Sequence, residues 1–337
     1  MAVETRRAVD VLPPLTERLP IVTWLKRNLF STWYNTLLTI LVAWLLWNTL
    51  VPFVQWAVFD ATFAGDSKDA CTGTGACWTV IKVRLGQYLY GLYPEDERWR
   101  VNLAFAILVV AAIPLFLTRF ERKLAYLVAL ILVYPPIAYI FFAGGIFGLP
   151  RVETGLWGGL FLTLVIAGVG ITASFPLGIL LALGRQSRLP VIKALCVAFI
   201  EVVRGVPLVT VLFMASVMLP LFLPVGMSID KLLRALVGVT LFAAAYMAEV
   251  VRGGLQALPR GQYEAAMALG LGYWQMMGLV ILPQALRLVI PGIVNTFIGL
   301  FKDTSLVTII GLYDLLGIAK LIVTDPQWLG LAAESYL

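Results

Sequence analysis

The chain has 337 residues, 61% of them hydrophobic and 13% charged, with a mean hydropathy of +0.92 and a formal net charge of +6. That composition excludes a water-soluble domain and points to several bilayer spans. The absence of histidine excludes Ser-His, Cys-His and His-metal chemistry. Basic residues are scattered between apolar runs rather than gathered in a stripe, so nucleic acid is not an expected partner. No G-x-x-x-x-G-K-[ST] pattern occurs, so any nucleotide must be handled by another chain.

Residues 1–29 carry Arg6, Arg7, Arg18, Lys26 and Arg27 among prolines, without the apolar core of a signal peptide. They read as a flexible basic tail that stays in the cytoplasm. A first span is expected from Thr32 to Phe59. Residues 60–100 read as a polar outer loop holding Cys71, Cys77 and the acidic run Glu95-Asp96-Glu97. On the outer side Cys71 and Cys77 are either bridged or two free thiols. A second span, Val101 to Thr118, is followed by Arg119, Arg122 and Lys123, a positive-inside signal. A third span runs from Leu124 to about Gly145, kinked at Pro135-Pro136. The fourth, Leu156 to Leu183, carries Gly168, Gly170 and Gly178, which permit close helix approach.

The apolar stretch from Val191 to Pro224 is too long for one straight span. It reads as a helix, a break at Gly205-Val206-Pro207, and a second helix to about Phe222. Phe213, Met214 and Met218 form an apolar face, either core packing or a hydrophobic gate. A sixth span is expected from Leu232 to Val251. A less apolar hairpin, residues 253–283, follows. Its helix formers run from Gln262 to Leu269, and Gly270 and Gly272 break the helix. A seventh span, Ala285 to Phe301, ends at Lys302-Asp303-Thr304-Ser305. Leu306 to Val323 reads as a partly buried outer segment. The resulting topology is N-inside with seven spans. The sequence changes character near residue 154, where tryptophan gives way to glycine; 1–154 and 155–337 are taken as two regions.

The hairpin carries Glu264-Ala265-Ala266, Gly270 six residues after Glu264, and Leu282-Pro283. This resembles the EAA signature of ABC importer membrane subunits, with Val280 standing where that pattern has Ile. Three further stretches resemble polar amino-acid importers: Glu201-Val-Val-Arg204-Gly205-Val-Pro207-Leu, Tyr246-Met-Ala-Glu249-Val-Val-Arg252-Gly253-Gly254, and Lys302-Asp303-Thr304-Ser305-Leu306. Together they cover about residues 155–325. The three extra N-terminal spans and the Cys loop are similar to the AapM/BztC type, the permease of general L-amino-acid importers.

The resemblance implies an all-α polytopic membrane protein with a type I ABC importer (MetI-like) core in the bacterial inner membrane. It implies a homologous membrane subunit in a heterodimer, a cytoplasmic ATPase dimer that holds ATP-Mg, a periplasmic amino-acid-binding protein, and an L-amino acid as cargo. The chain itself would carry no catalyst and no cofactor. Glu264, Ala265, Ala266, Gly270, Leu282 and Pro283 would couple to the ATPase. A further span would be expected beyond Leu337. A membrane site for a zwitterion needs both charges, each costly alone in hydrocarbon. Glu201, Arg204, Lys302, Asp303, Thr304 and Ser305 are therefore the candidates for the substrate pathway, or else structural ion pairs and gate elements. Glu249 and Arg252 are expected to brace the coupling helix. The alternative function is an ion-coupled secondary transporter, which also uses broken helices and buried charges.

Overall fold

The computed structural model describes residues 21–117, 122–222, 224 and 229–337. Arg6, Arg7, Arg18 and Arg119, used above as topology signals, lie outside the described residues. The chain forms two compact units, Met1–Thr79 and Val80–Leu337.

The first unit contains α1 (Ile21–Asn28) and α2 (Trp33–Val54), which continues through a π-helical turn at Gln55–Phe59. Thr32 caps α2 by accepting from the Asn35 amide. Asn48 and Thr49 donate back to the carbonyls of Trp44 and Leu45, so neither leaves a polar group bare in an apolar helix. The residues after α2 fold back on its end. The Ala76 amide donates to the Trp56 carbonyl and Trp78 Nε1 donates to the Ala57 carbonyl. Cys71 and Cys77 are joined by a disulfide with a Cα–Cα separation of 5.7 Å.

The second unit begins with α3 (Thr79–Tyr90), a helix inside the stretch expected to be loop. Its mixed composition hides it from hydropathy. α4 (Arg98–Phe116) and α5 (Lys123–Ala143) are the second and third expected spans, and α5 carries Pro135 and Pro136 inside one continuous helix. Arg100 at the start of α4 is fully buried. It pairs with Glu97 at 2.9 Å and donates to the Pro150 carbonyl, which offsets the cost of hiding its charge. α6 (Gly159–Arg185) and α9 (Lys231–Ala257) form the central pair, and α9 runs six residues past the expected end at Val251. They run in the same direction. Gly170 sits against Val239, and Gly178 against Met247, where a Cβ would come within 2.6 Å of that side chain.

Between them lie α7 (Pro190–Gly205) and α8 (Leu208–Phe213), the latter continued by π and 3-10 turns to Phe222. The two are bent by 105° at the expected break. Val206 is extended, as the residue before a proline must be, and Pro207 has no amide to continue the ladder. Phe213 and Met214 are half exposed in the chain, so they are not core packing.

After α9 come α10 (Arg260–Ala268), the single turn α11 (Tyr273–Gln275), a π stretch to Ile281, α12 (Leu282–Leu288) and α13 (Ile290–Asp303). The seventh span therefore starts later than Ala285 and ends later than Phe301. Val289 leaves helical geometry ahead of Pro291, and the helical run then continues in 3-10 form to Ile310. Gly311, in the left-handed region, ends it. Tyr313–Asp314, α14 (Leu315–Thr324) and α15 (Ala332–Tyr336) follow. Among the described residues six helices are long and apolar enough to cross a membrane, or seven if the bent α7–α8 pair counts as one span.

Val101, Ala104, Ala138 and Phe142 of α4 and α5 are buried in one cluster with Phe161 and Leu162 of α6 and Leu232 of α9. Residue 154 thus marks a change of sequence character within a continuous core. At this end of α6 the joint is made by backbone. Gly91 bridges to Trp157, Gly158 to Tyr313, and Gly159 to Asp314. Gly91 has φ +67 and Gly158 lies so close to it that a Cβ on either would overlap the other.

Candidate functional site

α9 does not stop at the membrane-spanning stretch; it leads directly into the hairpin. Leu258 and Pro259 are extended, and Pro259 opens α10. At the other end of α10 the Leu271 amide donates to the Ala266 carbonyl and the Gly270 amide to the Met267 carbonyl. These are the paired bonds of a Schellman cap, and they require the left-handed residue that Gly270 supplies at φ +74. Tyr263 donates to the Leu255 carbonyl at 3.1 Å and fastens α10 back to α9. Desolvation raises the hydroxyl pKa values of Tyr263 and Tyr273.

The motif residues divide between two faces. Glu264, Ala265, Gly270 and Pro283 are exposed, together with Met267, Leu269 and Trp274. Ala266 is buried against the cluster of Met276, Met277 and Ile281, and Leu282 is partly buried. Of the two alanines expected to couple to the ATPase, only Ala265 is exposed. Ala265 lies on the outer face, whereas Ala266 packs inside the hairpin.

A second feature lies at the same end of α6 and α9. Glu249, with 15% of its side chain exposed, forms ion pairs with three arginines. Arg252 of α9 reaches it through Nε at 2.9 Å and Nη2 at 2.7 Å. Arg185, the last residue of α6, donates to it at 2.7 Å, and Arg204 of α7 stands at 3.6 Å. Arg185 also donates to Glu201 of α7 at 2.9 Å. Arg204 lies over the Tyr246 ring, 5.5 Å from its centroid. The hub thus joins three arginines to two carboxylates and three helices to one another.

Glu201 and Arg204 share a helix face, yet each takes its partner from another helix. The candidate pathway residues Glu201 and Arg204 and the candidate bracing residues Glu249 and Arg252 stand together in one cluster. Arg185 was missed. It reads as an ordinary basic residue after an apolar span, and its partners lie 16 and 64 positions away. The one available signal was that Glu201 and Glu249 both needed a cation.

Lys302, Asp303, Thr304 and Ser305 are not brought to the hub. Leu300 and Val239 both flank Gly170, which puts this group near the middle of α9. Val239 and Glu249 are ten residues apart on α9, a rise of roughly 15 Å. The hydroxyls are also engaged: Thr304 donates to the Phe301 carbonyl at 2.8 Å and Ser305 to the Lys302 carbonyl at 3.0 Å. They satisfy carbonyls in the last turn of α13.

Residues 174–333 match the family described as the binding-protein-dependent transport system inner membrane component. The inner membrane amino-acid ABC transporter permease protein YhdY of Escherichia coli (strain K12) is 58% identical over 314 residues, 93% of this chain and 86% of the relative. The chain belongs to the amino-acid ABC transporter permease family. The permease is also 40% identical to the glutamate/glutamine/aspartate/asparagine transport system permease protein BztC of Rhodobacter capsulatus, over 96% of this chain and 90% of that one. The crystal structure of an amino acid ABC transporter with histidines is 32% identical, with a TM-score of 0.46, over 52% of the permease and 80% of that chain. Permeases of this family are inner-membrane subunits without catalysis of their own, and they imply a complex with an ATPase and a binding protein. The hub residues and α10 all fall within the matched stretch 174–333.

Proposed function

We propose that this permease forms the transmembrane pathway for L-amino acids of broad range, and that ATP binding and hydrolysis in a partner ATPase dimer drive it by alternating access. The observation that carries the reading is the hairpin. It is a short, Schellman-capped helix presenting Glu264, Ala265 and exposed apolar side chains, and it is joined to α9 by two extended residues. Such a helix can seat in a cleft of a soluble partner and transmit its displacement to α9 as a rigid body. ATP-Mg belongs to that partner, and this chain supplies no nucleotide site. A second, homologous membrane subunit in a heterodimer completes the pathway, and a periplasmic binding protein delivers the cargo.

In this reading the N-terminus and hairpin are cytoplasmic. The Cys71–Cys77 disulfide is periplasmic, where thiols oxidise. Residues 155–337 form the core that transports, and the spans before residue 154 are accessory. Glu201 and Arg204 lie on the pathway at the inner end, and Lys302–Ser305 lie at another level of it. An α-carboxylate and ammonium on the cargo can exchange with paired charges there without leaving either bare in hydrocarbon.

The test is uptake by proteoliposomes holding the assembled complex. Uptake should require both ATP inside the ATPase compartment and the binding protein outside. Uptake driven by a sodium or proton gradient without ATP would make the chain an ion-coupled carrier and overturn the reading.

A further inference from the structure

The hub can divide without stranding a carboxylate. Three of its contacts cross between helices: Arg185–Glu249 from α6 to α9, Arg185–Glu201 from α6 to α7, and Arg204–Glu249 from α7 to α9. The fourth, Arg252–Glu249, lies within α9 at spacing i,i+3 and travels with that helix. When α9 parts from α6 and α7, Glu249 keeps the two bonds from Arg252, and Arg185 keeps Glu201. Two neutral pairs result, and Arg204, the arginine in excess, is left without Glu249.

Both short cross-helix bonds come from a single nitrogen, Arg185 Nη1, at 2.7 and 2.9 Å. The remaining link, Arg204 to Glu249, is long at 3.6 Å. Arg185 is therefore the only hub residue whose removal cuts two of the three cross-helix contacts at their short ends. α9 is also the helix that continues into the hairpin, with Glu249 eight residues before its last residue, Ala257.

We propose that Arg185 is the positioning residue of a latch that holds the hairpin end of α9 against α6 and α7, and that the latch opens by passing Glu249 wholly to Arg252 while Arg185 settles on Glu201. This rests on the reading of the chain as an ATP-driven permease. The latch makes two removals act in opposite directions. Without the Arg185 charge, the closed arrangement loses its cross-helix bonds and α9 moves without cargo. Without the Glu201 charge, the open arrangement strands Arg185 and α9 is held closed.

The test uses the complete complex in proteoliposomes and reads ATP hydrolysed without binding protein, and amino acid taken up per ATP. Arg185→Gln should raise the binding-protein-independent hydrolysis and lower uptake per ATP, each by about fivefold. Arg185→Lys, which keeps a cation between the two carboxylates, should restore most of that ratio. Glu201→Gln should slow uptake and stimulated hydrolysis together, leaving uptake per ATP at the wild-type value. If both variants shift the same way, or if Arg185→Gln leaves the ratio unchanged, the latch is refuted. Should Arg185→Gln fail to assemble, Glu201→Gln still decides through uptake per ATP, which the latch leaves at the wild-type value while turnover slows and which a role on the cargo pathway alone would lower; Glu201 is more than half exposed and can be changed without opening a cavity, and unchanged turnover or a lowered ratio there refutes the proposal. A wild-type complex without ATP-dependent uptake would sink the functional reading first, before any variant is compared.

Discussion

The two ends of α6 are fastened in opposite ways. At the Gly159 end the fastening is backbone: Gly91, Gly158 and Gly159 bridge to Trp157, Tyr313 and Asp314 with no room for a side chain. Asp314, buried, caps α14 through the Gly317 amide and takes the Thr308 hydroxyl as well. At the Arg185 end the fastening is side chain only, a hub of five charged groups with an arginine in excess. Backbone packed at that closeness has one arrangement, since any shift produces overlap. Ion pairs on long side chains have several, since a guanidinium can change partners while staying paired. A bundle fixed at one end and exchangeable at the other pivots, and the exchangeable end is the one that leads into the hairpin.

The comparison can be broken from either side, and the largest effect is expected at the rigid end. Gly91→Val places a β-branched residue at φ +67 and drives it into Gly158. The strain and overlap together should cost about 3 kcal/mol, seen as a lower unfolding temperature of the purified complex. A variant as stable as wild type would mean that the Gly91–Gly158 approach is not a fixed joint. At the exchangeable end, Glu249→Gln leaves the arginines with one carboxylate among them and removes the group that all three share. A loss of about 2 kcal/mol in stability is expected, along with nearly all coupled uptake. Full uptake would show that the hub is ornamental.

Smaller effects belong to the hairpin and to the edge of the hub. Glu264→Lys should reduce co-purification of the ATPase about tenfold, equivalent to about 1.4 kcal/mol, while membrane insertion stays intact. An unchanged yield would remove Glu264 from the interface. Arg204→Ala, at the longest contact of the hub, should lower uptake without changing assembly. Normal uptake would leave Arg204 a packing residue over Tyr246.

Much of this was legible in the sequence where the cause is local. The break at Gly205-Val206-Pro207 follows from proline and the residue before it, and it appears as a 105° bend. Gly270 was legible as a helix end because a left-handed cap is a property of one residue and its near neighbours. The start of the seventh span was misplaced because Pro283 and Pro291 each open a helix, and hydropathy does not see the interruption at Val289. Helix α3 was hidden because Lys82, Arg84 and Gln87 give it no apolar period. The hub was half legible. Its residues stand in recognisable motifs, but which carboxylate meets which arginine depends on how α6, α7 and α9 pack. That is why the helix neighbours Glu201 and Arg204 were paired on paper while Arg185 takes Glu201 in the fold.

The central claim is that α9 keeps its place beside the glycine joint of α6 and moves beside the hub. It is tested most directly by spin-label distances in the assembled complex, through the nucleotide cycle, with Cys196 replaced by serine. One pair of labels sits at Gly155 and Lys231, beside the glycine joint, and the other at Gln186 and Gln256, beside the hub; all four positions are exposed. The account predicts that ATP changes the Gln186–Gln256 distance and leaves the Gly155–Lys231 distance unchanged. A nucleotide-dependent change at Gly155–Lys231 with none at Gln186–Gln256 would contradict it.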